Sequence, residues 1–288
     1  MQNLRSALQK HLKTRLSDAG AAYVRFLYSW PLALVYCWGV AEFGDFELPQ
    51  VNTAFLIYCL LGGVAQIVFT FLLVYLFSFR NFAVGTTLSK TEIIQVAVLG
   101  YLVLGDQLTL IAGLAIALSL VGVMALSLAQ TKLSVRNLIT GLTERATLIG
   151  IASGMTVGAS VIFFRGAALS LEGDNTLMRA AFSLAVAVTM QTLIMGAYLL
   201  LREPGQLSAV IRHWRWAIPT GVAALLGSIG WFTAFTLENA AYVRALGQIE
   251  LVFTFIASVF FFREKTTSME LTGIVLIVAA ILILVLAK

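Results

Sequence analysis

The clearest membrane-spanning pattern in the chain lies near its end. Residues Asn239–Leu286 read NAAYVRALGQIELVFTFIASVFFFREKTTSMELTGIVLIVAAILILVL, two long apolar runs separated by a short loop that carries Arg263 and Lys265. A helix needs about 20 apolar residues to cross the hydrocarbon core of a bilayer, and each run is long enough. The stretch therefore predicts two consecutive transmembrane helices.

The composition extends this prediction to the whole chain. Of its 288 residues, 60% are hydrophobic and only 11% are charged, and the mean hydropathy is +0.93. A soluble domain carries about 25% charged residues. Most of the surface must therefore face lipid, and the length leaves no room for a separate soluble domain. We predict an all-α polytopic membrane protein.

Nine apolar runs are long enough to cross the membrane as full helical spans. We place them at Asp18–Ala41, Asn52–Phe79, Asn81–Leu104, Leu108–Leu128, Arg145–Leu169, Thr176–Leu201, Trp214–Leu237, Asn239–Phe262 and Ser268–Ala287. The segment Met1–Leu16 before them is too short and too charged to span alone. It is predicted to be a partial first helix.

The two halves of the sequence repeat each other. The aligned pairs are Glu92 with Glu250, Lys90 with Gln248 and Gly63 with Gly221 at an offset of 158, and Arg25 with Arg179 at an offset of 154. Internal repeats of this kind underlie many transporter folds. We predict two five-helix repeats, residues 1–128 and 145–288, joined by a cytoplasmic linker over residues 129–144.

The first repeat is incomplete in this register. Helix six, the counterpart of helix one, starts near Arg145. At the offset of 154, helix one would therefore start about nine residues before Met1. Helix six also carries Gly150, Gly154 and Gly158, a small-xxx-small face that predicts close helix packing. Two explanations stay open: a start codon placed too late, or a chain that begins half-way through its first span.

Loop charges predict the orientation. Loops after odd-numbered helices are basic, as with Arg202 and Arg212, while loops after even-numbered helices are acidic, as with Glu42 and Asp45. Basic loops face the cytoplasm by the positive-inside rule. Because corresponding loops of the two halves differ in sign, and because five helices per repeat is an odd number, we predict antiparallel repeats with the C-terminus outside.

These patterns resemble one known family. Residues 239–286 are similar to the ninth and tenth helices of EamA-type members of the drug/metabolite transporter superfamily: a small polar start, an acidic residue in the apolar helix, another in the short loop, and a glycine in the last helix. Residues 81–126 repeat this pattern more weakly, and Arg25 in VRFLYSWPLAL is similar to the Arg-Phe that often opens the family's second helix.

The resemblance implies a ten-helix transporter with a truncated first helix in this chain. It implies a substrate path between the repeats, lined mainly by helices one, three, four, six, eight and nine, and export of a small metabolite. The family's better-known members are thought to keep both termini in the cytoplasm. The loop charges here contradict that for the C-terminus.

Ionisable residues inside the membrane are the first functional candidates, because they are costly and usually face the bundle interior. Glu92 and Glu250 lie about eleven residues into their predicted helices, roughly 16 Å deep at 1.5 Å per residue. They are candidates for binding a proton or substrate; alternatively, each is a structural carboxylate bonded to a neighbouring helix. Lys90 lies on another helix face than Glu92 and is predicted to meet either substrate or another helix.

The cationic candidates Arg25 and Arg179 form a repeat pair. Three roles stay open for this pair: binding substrate, neutralising the glutamates, or extending to the lipid headgroups. With Lys90 and Arg244 they outnumber the two glutamates, which favours a substrate that carries a carboxylate or phosphate. The remaining polar and aromatic candidates, each with packing as its alternative role, are Gln66, Tyr101, Trp231, Tyr242 and Gln248.

Together these features predict a multi-pass secondary transporter of the bacterial inner membrane. It would export an amino-acid-like or organic-acid-like metabolite by alternating access, with proton coupling through the glutamates. The alternatives are a nonfunctional or partner-dependent truncated paralogue and, less favoured, a membrane enzyme, which would need His, Asp or Ser side chains clustered near one interface. No phosphate-binding loop, metal motif or cofactor motif is visible. The net charge of +5 comes from loops that face anionic lipid rather than nucleic acid.

Overall fold

The computed structural model describes residues 8–9, 11–76, 78–79, 82–131, 144–260 and 266–286. Its principal helices are, in chain order, α1 (Asp18–Leu27), α2 (Trp30–Gly44), α3 (Thr53–Leu76), α4 (Phe82–Ser89), α5 (Glu92–Leu104), α6 (Leu110–Thr131), α7 (Arg145–Ser170), α8 (Thr176–Arg202), α9 (Gln206–Arg212), α10 (Trp214–Leu237), α11 (Ala240–Leu246), α12 (Ile249–Phe260) and α13 (Ser268–Leu286). Most of the predicted linker, residues 132–143, lies outside this description, as do Arg263 and Lys265.

The predicted all-α polytopic fold class is confirmed. Within the described chain, seven helical segments are long and apolar enough to cross a membrane, among them Val84–Leu104, which runs through the junction of α4 and α5. Each of the other two predicted spans, Asp18–Ala41 and Asn239–Phe262, is divided between two shorter helices, α1 with α2 and α11 with α12.

Three of the predicted spans are interrupted by a turn between two helices. The first break, at Tyr28 and Ser29, comes just before Pro31, which has no backbone N–H to bond to the carbonyl of Leu27 and whose ring crowds that carbonyl. The Ser29 hydroxyl donates to the carbonyl of Arg25 at 2.5 Å, which satisfies a backbone acceptor at the break.

The other two breaks occur without proline. The amides of Lys90 and Gln248 each bond to the carbonyl three residues back, at 3.1 and 3.2 Å, so the backbone tightens locally to a 3₁₀ turn. Lys90 and Gln248 are repeat counterparts at the offset of 158. The two spans that the predicted repeat aligns are therefore interrupted at the positions that it pairs, a feature that the apolar periodicity of the sequence did not reveal.

The helices group into two compact units. The first comprises Met1–Ser78 and Ala159–Leu237, and the second comprises Phe79–Gly158 and Glu238–Lys288. Each unit takes helices from both predicted repeats, and α7 contributes to both. The division into repeats at residues 128 and 145 is a different partition of the chain and stays a prediction.

In the first unit, α1 and α2 run antiparallel to α8. At one end, the backbone amide of Ser17, just before α1, donates to Gln206, just after α8, at 3.2 Å. At the other end, Asp45 after α2 and Asp174 before α8 line one cavity. These are the predicted second and seventh spans, and an inverted repeat requires this relation between them. Before α1, Leu12 is buried against α1 and α8, so part of the N-terminal segment belongs to the core of this unit.

In the second unit, glycines bring helices close together. Gly150 on α7 lies against the backbone of Gly85 on α4, and a Cβ added at Gly154 would lie 2.8 Å from the carbonyl oxygen of Ser89. A Cβ at Gly122 on α6 would likewise lie 2.8 Å from the carbonyl oxygen of Gly273 on α13. Such contacts let backbones approach closely in lipid, where water does not drive helices together.

Candidate functional site

A buried ion pair joins the two broken spans of the second unit. The guanidinium Nη2 of Arg244 on α11 lies 2.6 Å from the carboxylate Oε1 of Glu92 on α5. The two side chains are only 9% and 12% exposed. A buried pair of opposite charges at this distance forms a charge-assisted hydrogen bond that compensates both partners for the loss of water.

Both breaks favour this pair electrostatically. Glu92 is the first residue of α5, where the helix carries partial positive charge, and Arg244 lies in the last turn of α11, where the helix carries partial negative charge. A continuous helix would place both residues in mid-span and remove this benefit. The break and the ion pair therefore stabilise each other.

Two glutamines flank the ion pair. The side-chain amide of Gln248 donates to the backbone carbonyl of Arg244 at 3.1 Å. Gln95, one turn along α5 from Glu92, donates to the hydroxyl of Thr91 at 3.2 Å. The Gln95 carbonyl oxygen is buried and has no hydrogen-bond partner among the described residues. A buried acceptor without a donor costs free energy, so it marks a place where a ligand donor group would be favoured.

Three further candidates in this unit have polar side chains available for binding. Lys90, Glu250 and Tyr242 are each partly exposed. No side-chain hydrogen bond or ion pair joins any of the three to another residue in the part of the chain that the structure describes. Glu92 and Glu250 thus differ in their surroundings, although the predicted repeat pairs them: Glu92 is in an ion pair, and Glu250 has no side-chain partner among the described residues.

The first unit holds a second polar network, between α3 and α8. The side-chain amide of Gln191 donates to the side-chain carbonyl oxygen of Gln66 at 2.8 Å, and Gln191 is only 1% exposed. One turn away, the buried Arg25 donates to the hydroxyl of Thr70 at 3.1 Å, and Thr70 in turn donates to the backbone carbonyl of Gln66 at 2.8 Å. Gln191 was missed in the sequence, where its signal is a lone amide inside a long apolar run.

The remaining predicted residues lie elsewhere. Tyr101 is 63% exposed near the end of α5, and Trp231 on α10 stacks on Phe235 with 5.3 Å between ring centroids. Arg179 lies in the first turn of α8, beside a cavity at the end of the first unit. Glu92 is paired with Arg244. Arg244 does not belong to the predicted repeat pair of Arg25 and Arg179.

The second unit carries several polar and ionisable side chains on its two broken spans. They comprise a guanidinium, an amine, a phenol, two carboxamides and two carboxylates. Among the described residues, no group of three or more His, Cys, Asp or Glu side chains is placed to hold a metal ion.

Comparison with known proteins identifies a matching family for the second half of the chain. Residues 145–286 match the EamA-like transporter family, which confirms the predicted resemblance for the second half of the chain. No curated protein sequence is detectably similar to the chain. One solved crystal structure, titled only as that of a protein, matches with a TM-score of 0.66 and 13% identity over 99% of this chain and 96% of that chain. At this identity the likeness shows a common fold and nothing further.

Proposed function

We propose that the chain is a secondary transporter that exports a small metabolite, because residues 145–286 match the EamA-like transporter family and seven described helices are long and apolar enough to cross a membrane. The family consists of transporters, which supports this class of function. The export direction, the bacterial inner membrane and the alternating access of two inverted repeats are parts of the proposal.

The buried ion pair between Glu92 and Arg244 is the observation that carries the substrate class. A guanidinium binds a carboxylate in a bidentate geometry that an ammonium does not offer. Lys90 lies two residues before Glu92 and adds a second cation. We propose that Arg244 exchanges Glu92 for the carboxylate of an amino-acid-like or organic-acid-like substrate.

The two glutamates take different roles in this proposal. Arg244 corresponds to Thr86 at the offset of 158, so Glu250 has no repeat-equivalent arginine. Glu92 holds Arg244 in position when substrate is absent. Glu250, partly exposed and without a partner among the described residues, is then the better candidate for carrying the coupling proton or for meeting a substrate ammonium group.

A cell-based efflux assay tests the proposal. Cells that overproduce the protein are loaded with labelled organic acids or with dipeptides that each contain one type of amino acid. The metabolites released to the medium are quantified. We expect faster release of at least one carboxylate-bearing compound, abolished by Arg244→Gln and reduced by Glu250→Gln. Arg202→Gln, at the exposed end of α8, is the matched control. Equal release by the wild type, Arg244→Gln and cells without the protein contradicts the proposal.

A further inference from the structure

An apolar groove and a charged cavity are both lined by residues of α8 in the first unit, the cavity at the first turn of the helix and the groove farther along it. The groove, of about 450 Å³, lies between α2 and α8 and is lined by Leu34, Trp38, Phe182, Val186 and Met190 among others. The cavity, of similar volume, is lined by Asp45, Glu47, Glu172, Asp174 and Arg179 together with Phe46 and Met178. Neither has a place in the proposed transport chemistry.

The two features share one helix face. Arg179, Phe182 and Val186 are spaced at i, i+3 and i+7, so they lie in one stripe along α8. Arg179 is in the first turn, and Phe182 to Met190 cover about 12 Å of helix at 1.5 Å per residue. A ligand along this stripe would therefore meet one charged end and then an apolar channel.

The position of the stripe points to lipid. α8 is long and apolar enough to cross the membrane, and its first turn lies at the end of that span. The groove wall is exposed, with Trp38 at 60% and Leu34 at 43%. An apolar groove that opens to the side of a spanning helix and ends in charged groups at the interface has the polarity of a phospholipid.

The charges select the headgroup. The Nε of Arg179 is buried without a hydrogen-bond partner among the described residues, and its Nη2 contacts only Thr176, at 3.5 Å. That guanidinium suits a phosphate. The four carboxylates around it outnumber it, so a headgroup with net negative charge would be repelled. A primary ammonium donates hydrogen bonds to carboxylates, whereas a trimethylated one cannot.

From this geometry we infer that the first unit has a structural binding site for a zwitterionic aminophospholipid. One acyl chain occupies the groove between α2 and α8, the phosphate contacts Arg179, and the primary amine contacts the acidic loop residues. The site does not depend on the identity of the transported substrate.

Native mass spectrometry of the purified full chain tests the inference. Phosphatidylethanolamine, phosphatidylcholine and phosphatidylglycerol with identical acyl chains are added at equal concentration. We expect the first to be retained best. Arg179→Gln should weaken the retention of phosphatidylethanolamine about tenfold, the loss expected for a charge-assisted hydrogen bond. It should also reduce the difference in retention among the three lipids. Trp38→Ala, which removes an exposed groove wall, should weaken retention of all three lipids.

The control is Arg202→Gln, which removes an exposed arginine at the opposite end of the same helix. It should leave the headgroup preference unchanged. Equal retention of the three lipids by the wild type overturns the inference. So does an unchanged preference in Arg179→Gln, provided that its thermal unfolding matches that of the control.

Discussion

At the scale of single residues, the pairing of Glu92 with Arg244 organises the second unit. Both side chains are largely buried, and a lone charge in such a place is far more costly than the pair. The sequence pointed to both residues as intramembrane charges but not to their contact. They come from different halves of the chain and are not repeat counterparts, so no internal alignment brings them together.

This pairing predicts a strong coupling between the two positions. Glu92→Gln or Arg244→Gln alone should lower the free energy of unfolding by about 3 to 5 kcal/mol, because each leaves an uncompensated charge. The double substitution should recover much of that loss. The measurement is a double-mutant cycle on thermal unfolding in detergent. Additive losses from the two substitutions would show that the pair does not form.

The amide pair of Gln66 and Gln191 predicts a smaller effect. Gln191→Leu removes one interhelical hydrogen bond in lipid, where such bonds contribute about 0.6 kcal/mol on average. We expect a small drop in unfolding temperature, measured by intrinsic fluorescence. A matched Leu193→Ala variant on the exposed side of the same helix should change it no more than slightly. Unfolding at or above the wild-type temperature for Gln191→Leu would contradict a stabilising bond.

At the scale of helices, the apolar runs predicted the spans well and the breaks poorly. Length and hydropathy indicate where a helix crosses the membrane, but they do not distinguish a straight span from an interrupted one. Pro31 offered a signal for the first break. The breaks at Lys90 and at Gln248 have no such signal, since what favours them is a tertiary ion pair and the helix ends it creates.

The glycine contacts predict that a Gly→Ala substitution destabilises the protein at closely packed positions but not at open ones. Gly150→Ala and Gly154→Ala place a methyl group against the backbone of α4 and the adjoining turn, so both should destabilise the protein. Gly113→Ala on α6 meets no atom within 4 Å and should be neutral or stabilising by up to about 1 kcal/mol from helix propensity. Thermal unfolding in detergent compares the three. Equal effects would mean that α7 does not pack closely there.

At the scale of the whole molecule, the antiparallel course of α1–α2 against α8 is consistent with the inverted repeat that the loop charges predict. The repeat itself stays a prediction. It places the acidic loops at Glu47 and Glu172 outside the cell and the loop at Arg202 inside.

Cysteine labelling tests that topology. In a background with Cys37→Ser and Cys59→Ser, Glu47→Cys and Glu172→Cys should react in intact cells with a membrane-impermeant maleimide. Arg202→Cys should react only after lysis. An alkaline phosphatase fused at Lys288 should be active, because the C-terminus is predicted to lie outside. Labelling of all three cysteines from one side, or an inactive fusion, would contradict the predicted orientation.

The proposed transport of a carboxylate-bearing solute through the broken spans is tested most directly with the purified protein. Proteoliposomes preloaded with a mixture of amino acids and organic acids are diluted under an imposed proton gradient, and release is followed by mass spectrometry. We predict release of a restricted set of compounds by the wild type and by Arg202→Gln, strong impairment in Arg244→Gln and Glu250→Gln, and none from empty liposomes. Release by Arg244→Gln and Glu250→Gln at the wild-type rate and with the same selectivity would contradict the proposed roles of these two residues in transport.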